Sequence, residues 1–289
     1  MIAKLFLTSG IFLLLGTLTS FKIQLSPDPT AKTIQQAMAK VNDSLYVGKY
    51  EVSNLEYRHF LNEIATKDQS LTEKYKVDSI KWPDDLRYSE PMVTINQRYH
   101  RHPVFADYPV VNISYEAAIE YCKWLTELYN SDTKRKFRKV VFTLPLENEW
   151  TVAAQGGRSN SIFPWGQYYL VNKKGFYMCN FKPVGDPYIV KDSLGNPVII
   201  NYNGEANIHS AEFPPGKTFY TMNVRSFSPN DLGVYNMCGN VAEMTLKDGY
   251  AIGGSWNSYG GEINTKSIKQ YQYPSPEVGF RVFMKIIEP

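Results

Sequence analysis

The sequence predicts a single, loop-rich domain of the α+β class. Three amphipathic patterns at helical spacing lie within the first 155 residues, and a long region of short apolar runs follows them. The 19 glycines and 17 prolines are spread among these runs, which is typical of many turns and few long elements. With 289 residues, 43% of them hydrophobic and 14% aromatic, the chain is long enough to bury one large core.

Residues 1–20 have the features of a secretory signal peptide. Lys4 gives a positive start, and a mostly apolar run follows from Leu5 to Leu18. That run is shorter than the roughly twenty residues that a membrane-spanning helix needs, so a cleaved signal is favoured over a retained anchor. No cysteine lies near the expected cleavage site, which argues against a conventional bacterial lipoprotein. We expect export to the periplasm or the outer membrane, with membrane association only through a partner or an uncleaved signal segment.

Residues 21–44 are expected to form a linker with a short helix from Thr30 to Val41. Ile34 and Met38 share one side of that helix, which favours docking on the domain over binding to a partner. The folded domain is then expected to span residues 45–289.

Three helices are predicted inside the domain. The first begins at Ser53, because Ser53 and Glu56 have the Ser-x-x-Glu spacing of a capping box. The second runs from about Ser114 to Asn130. The third runs from about Glu147 to Gln155, where Gly156 can adopt the left-handed conformation that ends a helix.

The net charge of the chain gives no indication of a polyanionic partner. The net charge is +3, which is too small to predict binding to nucleic acid or to an anionic membrane. The densest basic run, Lys134 to Lys139, is expected to be a solvated loop before a strand from Val140 to Leu144.

Three sequence blocks near the C-terminus point to a protein family. They are Pro229 to Glu243, Gly253-Gly254-Ser255-Trp256 and Gly279-Phe280-Arg281-Val282. In this order they resemble the formylglycine-generating enzyme (sulfatase-modifying factor) family. Earlier blocks extend the resemblance over roughly residues 45 to 289: Tyr108 to Ser114, Leu144 to Trp150 and Phe163 to Gly166. The resemblance implies a fold related to the C-type lectins.

The resemblance also implies an active site, and here the chain departs from the family. The family uses two cysteine thiolates, five residues apart just after the Gly-Gly-Ser block, to hold Cu(I) and to activate oxygen against a substrate cysteine. Soft thiolate ligands favour Cu(I) over harder ions. The matching positions here are Ser258 and Ile263, an alcohol and a hydrocarbon. We therefore expect no copper and no formylglycine formation.

The remaining cysteines and histidines do not rebuild that site. Cys122 lies on an apolar helical stripe and is expected in the core. Cys179 and Cys238 could form a disulfide in an oxidising compartment, although the sequence does not give the distance between them. His100 and His102 form a His-x-His pair, a weak indication of metal binding without a third ligand, so solvated loop histidines are expected.

Two asparagine turns match places where the family binds structural calcium. They are Asn180-Phe181 and Asn240-Val241, which would offer a side-chain oxygen and the following backbone carbonyl. Such oxygen donors suit a hard cation. The alternative is that both asparagines close tight turns through hydrogen bonds to the backbone.

The absence of both thiols favours a non-catalytic exported scaffold or interaction protein of the bacterial cell envelope. Three blocks look like those of the gliding-motility and type IX secretion lipoproteins of the Bacteroidetes, which act as structural parts of an envelope complex: Ser89 to Met92, His102 to Pro109 and Cys179 to Pro183. Envelope proteins are the expected partners, and nucleic acid is not.

Two alternatives stay open. The first is an oxidase that generates formylglycine or acts on a protein cysteine through a rearranged metal site at Cys238 or Cys179. The second is a lectin-like module that recognises a peptide or glycan through an aromatic surface, although partly buried aromatic residues of the fold are the simpler interpretation. The members of that surface would be Trp256, Tyr259, Tyr271 and Tyr273. Fold kinship alone does not choose between these functions.

Overall fold

The structure is a computed structural model that describes residues 29–78, 98–182, 188–191, 197–200, 220–272 and 274–289. The predicted signal peptide, residues 1–20, the block Ser89 to Met92, Pro183 and Tyr273 lie outside these residues. Within the described ranges, none of the helices combines the length and the apolar character needed to cross a bilayer.

The α-helices of the described residues confirm the three that the sequence predicts inside the domain, include part of the predicted linker helix and add one short helix. They are α1 Ala31–Gln36, α2 Asn54–Lys67, α3 Gln69–Tyr75, α4 Tyr115–Ser131 and α5 Glu147–Gln155. The predicted capping box of α2 is present, with the Glu56 carboxylate accepting from the Ser53 amide at 2.8 Å and the Ser53 hydroxyl accepting from the Glu56 amide. Helix α5 ends as predicted at Gly156, whose φ is 62°.

The strands form two four-stranded sheets and a separate hairpin, which confirms the α+β class. The first sheet has the order β1-β2-β10-β3 and is antiparallel; the second has the order β8-β7-β6-β9, with β6 and β9 parallel. The hairpin pairs β4 with β5. The strands are β1 Met38–Lys40, β2 Leu45–Gly48, β3 Lys139–Thr143, β4 Tyr188–Lys191, β5 Pro197–Ile200, β6 Ala242–Met244, β7 Tyr250–Ile252, β8 Ile268–Gln270, β9 Val278–Gly279 and β10 Phe283–Glu288.

The predicted linker helix is corrected by the first sheet. The helix ends at Gln36 instead of Val41, and Met38–Lys40 forms the edge strand β1, with Ala39 opposite Val47. The strand is favoured over the helix for two reasons. It provides hydrogen-bond partners for the backbone of β2, and it buries Met38 and Ala39 on opposite faces of the sheet. The domain therefore reaches back at least to Ala31, not only to residue 45.

The core has a layer on each face of the first sheet. Alternate residues of β2 and β10 point to opposite faces. Tyr46 and Met284 join the large cluster that contains the buried side chains of α2 and α4. Val47 and Phe283 pack with Trp150 of α5 in the second cluster. Helix α5 is thereby fixed between the first sheet and the loop that follows β7.

Candidate functional site

Two glycines shape the loop that follows β7. Gly253 and Gly254 have φ angles of 95° and 72°, in the left-handed region that favours glycine. A Cβ on Gly253 would lie 2.8 Å from the Trp150 ring, and one on Gly254 would lie 2.6 Å from the Glu262 carbonyl oxygen. The glycine pair therefore lets the loop fold back on itself, so that Ile263 lies against Gly254.

Ser258 closes a turn inside this loop. It is buried, and its Oγ accepts a hydrogen bond from the Ser255 amide at 3.0 Å. Its amide donates to the Ser255 carbonyl at 3.0 Å, and its carbonyl accepts from the Lys182 amide at 2.9 Å. The hydroxyl is thus committed to the backbone of its own loop, and it belongs to no cluster of metal-ligating side chains within the described ranges.

A carboxylate organises the same loop, and sequence reasoning missed it. Glu277 accepts hydrogen bonds from Ser255 Oγ at 3.2 Å and from Asn257 Nδ2 at 2.9 Å, and it forms an ion pair with Lys269. Burial alone would raise the pKa of Glu277, but the hydrogen bonds from Lys269 and Asn257 outweigh it and hold that pKa below its usual value. No local motif predicts this contact, because Glu277 is 22 residues from Ser255 in the sequence.

Ile263 lies in an apolar cluster. Its side chain is fully buried and packs with Cys179 and Phe181. Trp165, Leu170 and Tyr177 cover this cluster as partly buried neighbours. A saturated hydrocarbon in a dry cluster has no lone pair for a metal ion.

The donor set at these two positions does not fit copper. Cu(I) needs soft sulfur ligands, and the two side chains are a hydrogen-bonded alcohol and an alkyl group. Among the described residues, no three histidine, cysteine or acidic side chains come close enough together to hold a metal ion. The residues present therefore support no step through a copper centre.

The cysteines are buried free thiols. Cys122 lies in the core as predicted, and burial raises its pKa well above the usual value. Burial raises the pKa of Cys179 in the same way, and that of Cys238 by burial together with the neighbouring Cys179 and Glu243. Cys179 and Cys238 lie on adjacent segments, since the Asn240 amide donates to the Asn180 carbonyl at 2.7 Å, yet both are free thiols.

We expect the native protein to react slowly with an aromatic disulfide reagent such as DTNB. The thiolate is the reactive species, and burial opposes both its formation and its contact with reagent. A Ser228→Cys variant, at an exposed position, is expected to gain one fast thiol. In denaturant, all three native thiols should titrate; recovery of only one would instead show a Cys179 to Cys238 disulfide, and a fast native thiol would contradict the burial argument.

Asn180 has a side-chain oxygen that fits a cation. Its Nδ2 donates to the Tyr220 carbonyl at 2.8 Å, whereas its Oδ1 is buried and has no hydrogen-bond partner in the described structure. An orphaned buried oxygen is costly unless something binds it. Asn180 would offer that oxygen to a hard ion, and calcium here stays a prediction. The side chain of Phe181 is part of the apolar cluster of Ile263.

Asn240 is different, because its side chain is committed to the protein. Its Oδ1 accepts from the Met222 amide at 2.7 Å, and its Nδ2 donates to Glu51 Oε1 at 2.8 Å. Its φ of 63° places it in a left-handed turn, which matches the alternative that this asparagine closes a tight turn. The side-chain oxygen of Asn240 also lies 3.4 Å from Asn180 Nδ2, which donates to it, so both of its lone pairs have partners within the protein. Val241 is buried in the cluster of Trp256.

The His-x-His pair does not behave as two solvated loop residues. His100 Nδ1 lies 2.9 Å from Asn54 Oδ1, and its ring contacts that of Tyr99 edge-on. Burial, together with Arg58 and Arg101, lowers the pKa of His100 to about 3. His102 is exposed and its Nδ1 accepts from the Val104 amide. The expectation of solvated histidines is therefore wrong for His100, which is held by tertiary contacts.

The predicted aromatic surface is corrected for Trp256. Trp256 is buried, and its Nε1 donates to the Pro276 carbonyl at 3.0 Å. Tyr271 is half-buried and packs against the large core cluster. Only Tyr259 of the described members is exposed. The tryptophan is internal because its loop crosses Asn240, whose carbonyl accepts from the Trp256 amide at 2.8 Å.

A different group of apolar side chains is exposed beside the Ile263 cluster. Tyr168 and Tyr169 are 78% and 72% exposed. We call the set the aromatic patch, with the members Ile162, Tyr168, Tyr169, Val171, Phe176 and Tyr259. A cavity of about 350 Å³ lies in the same region and is lined by Trp165, Gln167, Asn172, Lys173, Lys174 and Met178. The only sequence sign of this surface is a tyrosine pair in a segment without helical or strand periodicity.

A buried ion-pair network lies behind the site. The Arg281 guanidinium is fully buried and donates from Nη2 to Glu243 Oε1 at 2.7 Å and from Nη1 to the Gly48 carbonyl at 2.8 Å. Trp150 Nε1 donates to Glu243 Oε2 at 2.6 Å. Glu51 lies 3.8 Å from Arg281, and burial raises its pKa to about 7 although Arg281 opposes the shift. The network ties both sheets and α5 together, and its three charged side chains are buried.

Comparison with known proteins gives one family. The profile of the sulfatase-modifying factor enzyme 1-like domain matches residues 20–286. The chain is 28% identical to the formylglycine-generating enzyme of Bos taurus over 242 residues, which is 75% of this chain and 53% of that protein. It is 29% identical to the inactive C-alpha-formylglycine-generating enzyme 2 of Bos taurus over 139 residues, 48% of this chain and 33% of that protein. The chain thus spans about half the length, or less, of these relatives.

The chain also resembles two solved structures at lower sequence identity. CarF is 19% identical, with a TM-score of 0.48, over 86% of this chain and 93% of that chain. PvdO from Pseudomonas aeruginosa is 16% identical, with a TM-score of 0.46, over 83% of this chain and 80% of that chain.

Proposed function

Because the chain belongs to the sulfatase-modifying factor enzyme 1-like family, we propose that it is a non-catalytic, exported interaction protein of the bacterial cell envelope. A gliding-motility or type IX secretion complex is the specific setting that we propose. The sequence blocks that resemble those lipoproteins support this setting. Other envelope proteins would be its partners.

One observation carries the non-catalytic part of the proposal. The two positions that the family resemblance assigns to copper ligands hold side chains with a different role. One forms a hydrogen bond inside its loop, and the other packs in an apolar cluster. Ser258 Oγ accepts the Ser255 amide, and Ile263 is enclosed by Cys179 and Phe181. A metal ion at this place would need the loop to lose a hydrogen bond and the cluster to lose its apolar packing.

The relatives are compatible with either kind of function. They include proteins named as formylglycine-generating enzymes and proteins named as inactive ones. The name alone does not decide for this chain, so the decision depends on its own residues. Those residues favour the inactive alternative over an oxidase with a rearranged site at Cys179 or Cys238, because both thiols are buried and hold no neighbouring ligand cluster in the described structure.

An interaction protein needs a surface to present, and the aromatic patch is the candidate that we propose. Adjacent exposed tyrosines supply large contact area at little cost in side-chain entropy. Several exposed apolar side chains on one short segment, as from Ile162 to Phe176, are a feature of interaction sites. Lys182 lies over the Tyr259 ring at 5.6 Å and adds a positive rim. A lectin-like use would need the patch to recognise a glycan, and no observation favours it over a protein partner.

The test is a Cu(I) titration in competition with a Cu(I)-specific chelator, followed by an assay of oxygen consumption with a cysteine-bearing peptide. We expect that the wild-type protein will take no Cu(I) from the chelator and will consume no oxygen. A Ser258→Cys, Ile263→Cys double variant is the matched control, since it supplies two thiolates at the same spacing and is expected to compete for the ion.

Stoichiometric Cu(I) binding by the folded wild-type protein, together with peptide oxidation, would overturn the proposal. Binding by the wild type that disappears in a Cys179→Ser, Cys238→Ser variant would point to the rearranged oxidase instead.

A further inference from the structure

A group of basic side chains gathers where α1 meets the end of α4. We call it the basic face and define it by Lys32, Lys134, Arg135 and Lys136. Lys32 lies on α1, whereas the other three follow α4 in the loop before β3. The three lysines line a cavity of about 550 Å³ together with Thr30, Ala31, Gln35, Gln36 and Asp132. Residues about 100 positions apart in the chain therefore share one surface.

The position of α1 on this surface is fixed by specific contacts. The Ala31 amide donates to Asp132 Oδ2 at 2.9 Å, and Tyr129 lies within hydrogen-bond distance of Gln35 at 3.2 Å. Ala31 and Ile34 are buried in the large core cluster. The basic face is consequently a rigid feature of the fold, and the chain leads into it from the N-terminal side.

The charge of the basic face is not balanced by the protein. Asp132 is its one carboxylate among the described residues. That carboxylate accepts hydrogen bonds from the backbone amides of Ala31 and Lys134. Lys32, Lys134 and Lys136 form no ion pair in the described structure, and Arg135 donates to the carbonyls of Asp132 and Arg138. Some lysines elsewhere are paired with carboxylates, as Lys67 is with Glu127 at 3.3 Å. Four cations thus face one carboxylate.

We propose that the basic face docks on an anionic membrane surface. The attraction would come from the unpaired ammonium groups, each of which adds about a fivefold factor of affinity near a surface of anionic lipid. The lysines are exposed and have long stems, so their charges can reach a layer of head groups without rearrangement of the backbone. The small net charge of the whole chain hides this local excess.

Two features favour a membrane over an acidic protein as the occupant. The cavity lining contains no aromatic or large aliphatic side chain. Protein interfaces usually need such anchors at their centre. In addition, only twelve residues separate the apolar run that ends at Leu18 from Ala31, and twelve extended residues span at most about 40 Å. While the apolar run lies in a bilayer, before cleavage of the expected signal peptide, the basic face therefore stays within about 40 Å of that bilayer.

The experiment is flotation of the full chain with vesicles of phosphatidylcholine alone and with vesicles that also contain phosphatidylglycerol. Any binding through the apolar run should be common to both vesicle types. We expect phosphatidylglycerol to increase binding, and a Lys134→Glu, Lys136→Glu variant to lose at least about tenfold of that increase. Added salt should reduce the same increment, since exposed charges are screened.

The matched control is a Lys173→Glu, Lys174→Glu variant, which reverses two exposed lysines at the cavity beside the aromatic patch. It makes the same change in net charge and should retain most of the increment. Thermal unfolding of both variants at the wild-type temperature would show that the exposed substitutions leave the fold intact. Binding that does not depend on phosphatidylglycerol, or equal losses in the two variants, would overturn the proposal.

Discussion

Replacing Arg281 with methionine is expected to lower the free energy of unfolding by about 3 to 5 kcal/mol. The guanidinium is fully buried, and its removal leaves the carboxylates of Glu243 and Glu51 in the core with no cation beside them. It also leaves the Gly48 and Tyr235 carbonyls without their donor. Urea unfolding followed by circular dichroism measures the loss directly.

Two further variants show whether burial is the cause. Arg138→Met removes an exposed arginine that is paired with Glu288 at 3.2 Å, and it should cost at most about 1 kcal/mol. Arg281→Lys keeps the charge but not the planar fork that binds Glu243, so it should fall between the two. Similar losses for Arg281→Met and Arg138→Met would show that the buried network contributes little.

Replacing Gly254 with alanine is expected to destabilise the protein by about 2 to 4 kcal/mol. A left-handed backbone costs a residue with a Cβ about 1 to 2 kcal/mol. The new Cβ would also lie 2.6 Å from the Glu262 carbonyl oxygen and 2.7 Å from Ile263 Cγ2, so the loop must open. Thermal and urea unfolding give the magnitude.

Gly261→Ala is the matched control in the same loop. A Cβ on Gly261 would meet no atom within 4 Å, and its φ does not lie in the left-handed region. That variant should be neutral within about 0.5 kcal/mol or slightly stabilising. If both glycine variants cost the same, the close approach of Gly254 to Ile263 is not what holds the loop.

The start of α2, the end of α5 and the family membership could be predicted from the sequence because their signals are short motifs. Ser53 and Glu56 are three residues apart, so a capping box is visible before any fold is known. Gly156 announces the end of α5 in the same way. The order of the glycine-rich blocks indicated the family, which the match over residues 20–286 then showed.

Contacts between distant segments were not predictable. Met38 and Ala39 continue the apolar pattern of a helix, but they form a strand because they pair with the edge of β2. Trp256 looked like a surface aromatic, yet the Asn240 loop covers it. His100 was expected in solvent and lies against Tyr99 and Asn54.

The candidate site also has features that the sequence determined and features that depend on contacts between distant segments. The sequence alone determined that the residues at positions 258 and 263 are an alcohol and a hydrocarbon, because side-chain chemistry is independent of the fold. Only the tertiary structure decided that the Ser258 carbonyl pairs with the Lys182 amide, that Ile263 is enclosed, and that Lys32 joins Lys134 on one surface. The physical reason is that burial and charge density depend on which distant segments meet, and loop closure over about 100 residues leaves no trace in local periodicity.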